Sequence, residues 1–567
     1  MIQLDLLIHN ARIADVFRLR DFAGWVGIRD GRFVYVEEGA SPSAVTARER
    51  LDLGDRLIVP GLIDAHMHIE SSLTTPRRFA QAVVTHGTTA VLADPHEVAN
   101  VAGEAGVRWM IRASQGLPLR VFNAIPSCVP ATAPEIEWTP AVFDAATVRR
   151  LAQAPTVIAL GEVMDYGQVL ADGERLRGMV QAAHEAGLLV EGHVPALRGA
   201  DLSQYLAWRI TSDHTIMTPE KIREQTSKGV AVMLTARSCT PENIAAVNAL
   251  PDRSRILLVT DDVEPSLLTR GHLSLIVQMA KNAGLLPMEA LASATIRPAR
   301  YLGLRDLGGI APGFRADFSV LEALAAFPPS QVFFGGERVA RDGALIAREL
   351  PATPAPPANS ALPGPFSASD FRLVSEGGGG QVTANVVVLK STTVFLTDLE
   401  RVPVRVLDGY AELEAALALV AVVARNGSSK SVGVVKDFGL RAGAVASTFA
   451  HDSHNLLVIG RDVAEMALAA NAVREIGGGI VAVAGGEVIA KLRLPVLGLL
   501  SDAPLDEIVR DFEAVERALR DLGVRHERPF FMLSLLALSV SPKFKFTDKG
   551  VVDTEARRLL PPWDAAL

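Results

Sequence analysis

Cysteine is almost absent from this sequence, because 567 residues include only Cys128 and Cys239. One bridge cannot staple a chain of this size, so we expect no disulfide framework. Positive charge is not in excess either: 56 Lys and Arg face 64 Asp and Glu, and the net charge is −8. A nucleic-acid or anionic-membrane binder would show a basic patch, so this balance argues against both classes.

Long apolar runs without charge are also missing, so no segment is predicted to span a bilayer. The stretch from Met1 to His9 lacks the charged start and the long apolar run of a signal peptide. We therefore expect a cytoplasmic protein. Hydrophobic residues make up 49% of the chain, which is enough for large cores. At roughly 100–200 residues per domain, the length predicts about three domains.

Predicted short strands flank a long central region. Before residue 59 the predicted strands are Leu4 to Ile8, Trp25 to Ile28 and Arg32 to Val36. After residue 304 they are Ala316 to Leu321 and Gln331 to Val339. We expect these strands to pair into a small β-sandwich-like domain made of residues 1–58 and 305–349.

The central region, residues 59–304, alternates short apolar runs with helical patterns such as Glu174 to Ala186 and Leu267 to Ala283. Strand-helix alternation repeated eight times predicts an α/β fold, the parallel (β/α)8 or TIM barrel. The predicted strands end near His68, Asp94, Ile125, Glu162, His193, His214, Thr235 and Asp261.

A proline-rich linker, residues 350–366, follows and is expected to be extended. Residues 367–567 then mix predicted strands, Val382 to Leu389 and Leu456 to Ile459, with predicted helices, Ala411 to Ala424 and Asp462 to Ile476. This mixture predicts a C-terminal α+β domain.

Potential metal ligands stand at the ends of several predicted barrel strands, on the face where barrel enzymes place their active sites. His66 and His68 are residues i and i+2 of one strand, so both imidazoles point to the same side and can bind one divalent ion. Taken alone, this pair is equally consistent with two histidines at a sheet edge.

Further strand ends strengthen the metal interpretation. The chain has 12 histidines, and four of them fall at strand ends of one predicted barrel. Neutral imidazole and carboxylate are the ligands that zinc, manganese and iron use. The sequence therefore predicts a metal site made of His66, His68, Glu162, His193, His214 and Asp261.

This ordered set resembles the metal constellation of the amidohydrolase superfamily, many members of which carry a carbamylated lysine where this chain has Glu162. With that glutamate, the sequence is similar to the adenine deaminase family over nearly its whole length. The matching segments are residues 60–72, Asp94-Pro95-His96-Glu97, residues 126–132, residues 192–195, residues 450–455 and residues 546–550.

The resemblance implies hydrolytic deamination of adenine to hypoxanthine and ammonia by a metal-activated hydroxide. It implies two divalent ions, for which we expect manganese, with iron and zinc as alternatives. Asp261 would carry the water's proton to the leaving amine. The implied ligands are His66, His68 and Asp261 for one ion, His193 and His214 for the other, and Glu162 as the bridge.

A ring nitrogen of the purine must also be protonated, and a carboxylic acid can do this. Glu97, Asp94 and Glu70 are the candidates. We favour Glu97 and Asp94 as catalytic residues because they belong to the family-like Asp-Pro-His-Glu element, in which His96 would orient the purine or stabilise charge. Asp262 would orient a histidine ligand.

In the C-terminal domain, His451 and His454 either reach the barrel mouth and close it over substrate or form a polar turn within that domain. The expected partners are a small nucleobase substrate and a second copy of the chain in a homodimer, with neither nucleic acid nor membrane.

Three segments depart from the family pattern. Thr215 replaces a glutamate after His214, residues 236–239 replace an Arg-Glu-Gly-Ser run, and residues 423–427 replace an acidic-Arg-His-Gly element. These departures keep open an amidohydrolase that acts on another purine or cyclic amide, for example an N6-substituted adenine. A metal-binding scaffold without activity is a further alternative, against which the complete ligand set argues.

Overall fold

A computed structural model describes residues 3–41, 45–346, 349–358, 362–375, 380–391 and 396–564. The chain divides into two compact units. Unit 1 comprises Met1–Pro95, Met110–Ile125 and Val148–Pro354, and unit 2 comprises His96–Trp109, Pro126–Thr147 and Ala355–Leu567.

The strands of unit 1 are β1 (Leu4–Asp15), β2 (Arg20–Arg29), β3 (Arg32–Glu38), β4 (Ala47–Asp52), β5 (Leu57–Pro60), β6 (Leu62–His68), β7 (Thr88–Ala93), β8 (Arg120–Ile125), β9 (Val157–Val163), β10 (Leu189–Gly192), β11 (Ser212–Asp213), β12 (Ala231–Leu234), β13 (Ile256–Leu258), β14 (Asp261–Asp262), β15 (Phe318–Leu321), β16 (Gln331–Phe334), β17 (Glu337–Arg341) and β18 (Ala344–Leu345). The strands of unit 2 are β19 (Gly380–Leu389), β20 (Thr397–Leu407), β21 (Tyr410–Glu412), β22 (Leu417–Val423), β23 (Lys430–Lys436), β24 (Ala444–Ser447), β25 (Leu456–Gly460), β26 (Gly479–Ala484), β27 (Glu487–Arg493), β28 (Phe544–Thr547), β29 (Gly550–Asp553) and β30 (Arg558–Leu560).

The α-helices are α1 (Pro76–Val84), α2 (His96–Ala113), α3 (Ala145–Leu151), α4 (Tyr166–Leu170), α5 (Glu174–Glu185), α6 (Gly199–Leu206), α7 (Pro219–Ser227), α8 (Pro241–Asn248), α9 (Pro265–Leu268), α10 (Leu273–Asn282), α11 (Pro287–Ala292), α12 (Ile296–Tyr301), α13 (Val463–Glu475), α14 (Leu505–Asp521) and α15 (Pro529–Ser534). Short 3-10 helices are formed by Ile69–Ser72, Ala236–Ser238, Ala368–Phe371 and Leu535–Ala537. None of the helices in the described residues is long and apolar enough to cross a membrane.

Parallel strands make the centre of unit 1. One sheet has the order β10-β9-β8-β7-β6-β14, and a second has the order β11-β12-β13. Beside the first sheet, the backbone N–H of Thr211 donates to the carbonyl of Val190 at 3.0 Å. Strand β13 leads through two residues into β14, which pairs with β6. This mixed α/β arrangement with parallel strands fits a TIM-like domain.

Alternation along these strands explains why both of their faces are apolar. Side chains two residues apart share one buried cluster, which includes Ile63, Ala65, Ala90, Leu92, Ala231, Met233, Leu257 and Val259. The intervening side chains pack with residues of α10 and α11 in a second cluster, which includes Leu62, Val232, Leu234, Ile256, Leu258, Leu273, Val277 and Leu291. Burial on both faces is typical of parallel strands that are covered by helices.

The flanking strands of unit 1 belong to one nine-stranded sheet, with the order β18-β17-β16-β15-β5-β1-β2-β3 and with β4 paired to β1. Strand β15 runs antiparallel to β5, with Phe318 opposite Pro60. Residues before and after the parallel strands therefore share hydrogen bonds in a single sheet.

Unit 2 contains a nine-stranded sheet of order β21-β20-β19-β23-β22-β25-β24-β26-β27 and a three-stranded sheet of order β28-β29-β30. Helix α13 buries Met466, Ala469 and Val473 against the larger sheet. Both cysteines of the chain are buried and form no disulfide, Cys128 in unit 2 and Cys239 in unit 1.

Two predicted helices are wrong in part. Residues 411–424 contain β22, not a helix, because Leu417–Val423 is buried along its whole length between β23 and β25. A short run of Ala, Leu and Val fits a buried strand as well as a helix. The predicted helix from Leu267 to Ala283 is broken into α9 and α10, since Gly271 adopts a φ of 153° between them.

Candidate active site

The six predicted ligands lie at or next to strand ends of unit 1. His66 and His68 close β6, and Glu162 is near the end of β9. His193 follows β10 directly, His214 follows β11, and Asp261 begins β14. The carboxyl ends of parallel strands meet at one edge, which is why residues far apart in sequence converge.

The two carboxylate oxygens of Glu162 face two different groups of nitrogens. Oε1 lies 3.3 Å from Nε2 of His68 and 4.0 Å from Nε2 of His66. Oε2 lies 2.6 Å from Nδ1 of His193 and 3.2 Å from Nε2 of His214. The carboxylate thus stands between two pairs of imidazoles.

Asp261 completes the group on the Oε1 side. Its Oδ1 lies 3.6 Å from Nε2 of His68 and 3.9 Å from Nε2 of His66. The side chain of Asp261 is 30% exposed, whereas those of His66 and His68 are at most 2% exposed. Asp261 is therefore the member of this group that is open to solvent.

Hydrogen bonds to the far ring nitrogens fix the tautomers of the β6 histidines. Nδ1 of His66 lies 3.1 Å from Oε2 of Glu191, and Nδ1 of His68 lies 3.0 Å from the carbonyl oxygen of Asp94. Each Nδ1 carries the proton and donates it, so each Nε2 presents a lone pair to the cluster. Nε2 of His66 is buried and has no hydrogen-bond partner in the described part of the chain.

Other buried carboxylates hold the surrounding backbone. Asp94 Oδ2 accepts a hydrogen bond from the Glu162 N–H at 3.1 Å. Asp213 Oδ1 accepts from the N–H groups of Val194 and Thr215, and its Oδ2 lies 2.7 Å from Nζ of Lys221. The segments that carry Glu162, His193 and His214 are therefore anchored by charge-assisted hydrogen bonds.

Charges within the cluster shift the pKa values of its members in opposite directions. Burial lowers the pKa of His66 well below its usual value, which keeps that imidazole neutral. Burial alone would raise the pKa of Glu162, but the charge of His214 and the hydrogen bond with His193 outweigh it and lower this pKa well below its ordinary value. Burial raises the pKa of Glu191 well above its usual range, and the neighbouring Asp94 and Glu162 add to this effect.

The donor set fits a divalent cation. Each of two groups combines imidazole nitrogens with one carboxylate and has its ligand atoms close together: His66 and His214 with Glu162, and His66 and His68 with Asp261. Borderline divalent metals bind such nitrogens and oxygens at roughly 2.0–2.2 Å. The residues present therefore match the chemistry of a divalent-metal site.

Sequence reasoning missed Glu191 as a hydrogen-bond partner of His66. The signal was present, because Glu191 lies two residues before His193 near the end of β10 and so can point toward the same side. It also missed Tyr205, a buried residue whose hydroxyl accepts from the His193 N–H at 3.1 Å and donates to the Val163 carbonyl at 2.8 Å. Asp262, which we expected to orient a histidine ligand, accepts a hydrogen bond from Ser71.

Unit 2 assembles a second cluster of buried titratable side chains around Glu97. Nδ1 of His451 lies 2.6 Å from Oε1 of Glu97, and Nε2 of His454 contacts Oε2. Nδ1 of His454 accepts the Ala450 N–H at 3.1 Å, so His454 carries its proton on Nε2 and donates it to Glu97. Nε2 of His96 lies 3.5 Å from Oε1 of Glu97.

The charges of this second cluster oppose its burial. Burial alone would raise the pKa of Glu97, but His451 and His454 outweigh it and lower that pKa well below its ordinary value. Burial lowers the pKa of His454 to about 4 despite the charge of Glu97. Glu97 is therefore held as a carboxylate between two imidazoles.

Three buried residues lie at or beside the departures from the family pattern, namely Thr215, Ser238 and Arg425. Thr215 donates its hydroxyl proton to Asp213 at 2.8 Å. Ser238, within the 3-10 helix Ala236–Ser238, is buried and accepts from the Met217 N–H at 3.1 Å. Arg425 is buried and donates to three backbone carbonyls.

Comparison with known proteins places the chain in a family. Residues 57–339 match the amidohydrolase family, and residues 394–558 match the adenine deaminase C-terminal domain. An adenine deaminase of Desulfatibacillum aliphaticivorans is 36% identical over 557 residues, covering 97% of this chain and 96% of that protein. Adenine deaminases of Nitratidesulfovibrio vulgaris (Hildenborough) and Moorella thermoacetica are each 39% identical, cover 97% of this chain, and are themselves covered to 95% and 94%. The chain therefore belongs to the adenine deaminase family of the amidohydrolases.

Proposed function

We propose that this protein hydrolyses adenine to hypoxanthine and ammonia. The single observation that carries the proposal is the position of Glu162, whose two oxygens each face a separate pair of imidazole nitrogens. Relatives that match the chain over nearly its whole length are named adenine deaminases, which supports adenine as the substrate.

In this proposal the site holds two divalent ions, with manganese as the expected metal and iron or zinc as alternatives. His66, His68 and Asp261 would hold one ion, His193 and His214 the other, and Glu162 both. When bound, such ions supply hydroxide near neutral pH by lowering the pKa of water.

Asp261 is the proposed proton carrier. Addition of water to C6 of adenine releases one proton, and departure of the amine as ammonia requires one, so a single group can take and return it. The 30% exposure of Asp261 and its place 3.6 Å from His68 support this role.

The ring-nitrogen acid belongs to the segment after β7. We propose Glu97 and Asp94 as the catalytic carboxyl groups and His96 as the residue that orients the purine. Support comes from the family-like element that these three residues form. Asp94 already accepts the Glu162 N–H, so it also positions that residue.

A second candidate is the hydrolysis of another purine or cyclic amide, for example an N6-substituted adenine. The observation in its favour is the segment Ala236–Ser238 with Cys239, where the Arg-Glu run of the family pattern is replaced. An altered strand-end loop can change the substrate without changing the hydrolytic chemistry.

We also propose the domain architecture, the oligomeric state and the cellular location. We infer that the parallel strands close into a (β/α)8 barrel, with residues 1–58 and 305–349 as a flanking β-domain, residues 59–304 as the barrel, residues 350–366 as a linker and residues 367–567 as the C-terminal domain. We further propose that the protein is a homodimer in the cytoplasm. Size-exclusion chromatography with light scattering tests the dimer, and cell fractionation tests the location.

The test of function is ammonia release by the manganese-loaded protein from adenine, N6-methyladenine and adenosine. Adenine should react fastest, and Asp261→Asn should lower kcat by roughly 10²–10⁴-fold. Glu185→Gln, on the exposed face of α5, is the matched acid-to-amide control and should keep full activity. Turnover of N6-methyladenine without turnover of adenine would replace the first proposal by the second.

A further inference from the structure

A cavity of about 550 Å³ lies within unit 2. Among the residues that the structure describes, its lining contains two arginines and no acidic side chain. Small-molecule sites typically have volumes of about 300–1,000 Å³, so the cavity has room for a ligand larger than a water or an ion. The lining residues are Pro356, Pro357, Leu362, Arg425, Thr448, Arg474, Gly477, Gly478, Pro495, Leu497 and Gly498.

Arg425 is a buried cation in the wall of this cavity, with 1% of its surface exposed. Its Nε donates to the carbonyl of His454 at 2.5 Å, Nη1 to that of Leu497 at 3.0 Å and Nη2 to that of Thr448 at 2.9 Å. A guanidinium has five N–H groups, so these neutral carbonyls use three of them and leave its charge uncompensated. No carboxylate forms an ion pair with Arg425 in the described part of the chain, and burial lowers its pKa to about 9.

A glycine lies against the end of this guanidinium. Gly498 has a φ of 72°, and a β-carbon there would lie 3.2 Å from Nη1 and 3.3 Å from Nη2 of Arg425. Any side chain at position 498 would therefore press against the charged end. On the neighbouring wall, Gly477 and Gly478 also present no side chain to the cavity.

Arg474 supplies a second cation from the last turn of α13. It is exposed, and it makes no ion pair with any residue that the structure describes. The lining also includes three prolines, Pro356, Pro357 and Pro495. It thus combines two arginines with apolar side chains.

We propose that this cavity binds a small phosphate ester, with the phosphate between Arg425 and Arg474 and the uncharged part on the prolines. Arginine is suited to phosphate because its planar N–H groups can donate to two oxygens at once. The phosphate would supply the counter-charge that Arg425 lacks among the described residues. Because Arg425 also holds the carbonyl of His454, whose ring donates to Glu97, an occupied cavity would brace that histidine.

Binding is tested on the full-length metal-loaded protein by thermal unfolding and isothermal titration calorimetry. The probes are inorganic phosphate, ribose 5-phosphate and adenosine monophosphate, with adenosine as the probe that lacks phosphate. We expect the two esters to raise Tm by a few degrees at saturation. Adenosine should cause no rise in Tm through this cavity, because it lacks the phosphate. Inorganic phosphate should bind more weakly, since it lacks the part that packs on the prolines.

Arg474→Gln isolates the site, because this exposed residue forms no ion pair with any residue that the structure describes. The variant should weaken ester binding by at least about tenfold, as expected for loss of a charge-assisted hydrogen bond. Arg517→Gln, an exposed arginine of α14, is the matched control and should bind like the parent. Equal binding by both variants, or no binding of any phosphate probe, would overturn the proposal. Either result is independent of adenine turnover, so it leaves the proposed function untouched.

Discussion

Replacing Glu191 by glutamine should weaken metal binding without removing a single metal ligand. Oε2 of Glu191 lies 3.1 Å from Nδ1 of His66, and both side chains are at most 1% exposed. In this dry setting the carboxyl group fixes the tautomer and orientation of the imidazole. Loss of such a partner typically costs about 10–100-fold in metal affinity, which corresponds to about 1.4–2.7 kcal/mol.

The assay is competition for manganese against a chromophoric chelator, followed by ammonia release at saturating metal. Glu191→Gln should bind metal about 10–100-fold more weakly, and excess manganese should restore most of its activity, because Glu191 acts through His66. Tyr301→Phe is the control: its hydroxyl lies 3.5 Å from the other oxygen of Glu191 and, in the part of the chain that the structure describes, forms no hydrogen bond with His66. An unchanged metal affinity in Glu191→Gln would refute the reasoning.

Three further predictions concern stability and positioning. Glu289→Ala should destabilise unit 1 by about 3–5 kcal/mol in urea unfolding, because it leaves the buried Arg297 without its partner. Tyr205→Phe should lower the free energy of unfolding by about 1–3 kcal/mol and should lower kcat at saturating metal, since the N–H of His193 loses its acceptor. Burial lowers the pKa of His454 from its ordinary value of 6.5 to about 4 in the folded protein. Between these two pH values the unfolded chain therefore binds one more proton than the folded protein. Stability should therefore fall as the pH drops from about 6.5 to 4, by up to about 3 kcal/mol, and His454→Gln should flatten this slope. Stability that is independent of pH in that window would contradict the assignment.

The positions of the strand-end ligands could be predicted because local patterns carry them. An apolar run that ends in histidine or a carboxylate marks a strand and its edge, and β6 and β9 follow this rule. Helix α5 was predicted within one residue, since its polar and apolar residues alternate with the helical period.

Local patterns failed where tertiary contacts decide the structure. Leu417–Val423 has no period that separates a buried strand from a helix, and only its two strand neighbours make it β22. The contacts of Glu97 with His451 and His454 could not be predicted from local sequence either, because these histidines are more than 350 residues away. The hydrogen bond between Glu191 and His66 joins two strands that are not adjacent in the sheet order.

The most direct test of the account is the metal content and adenine turnover of Glu162→Gln beside the parent protein and Glu185→Gln. The account predicts two divalent ions per chain and ammonia release for the parent and for Glu185→Gln. Glu162→Gln should hold fewer than two ions and should release no ammonia above background. Two tightly bound ions together with full adenine turnover in Glu162→Gln would contradict the claim that this one carboxylate serves both groups of histidines.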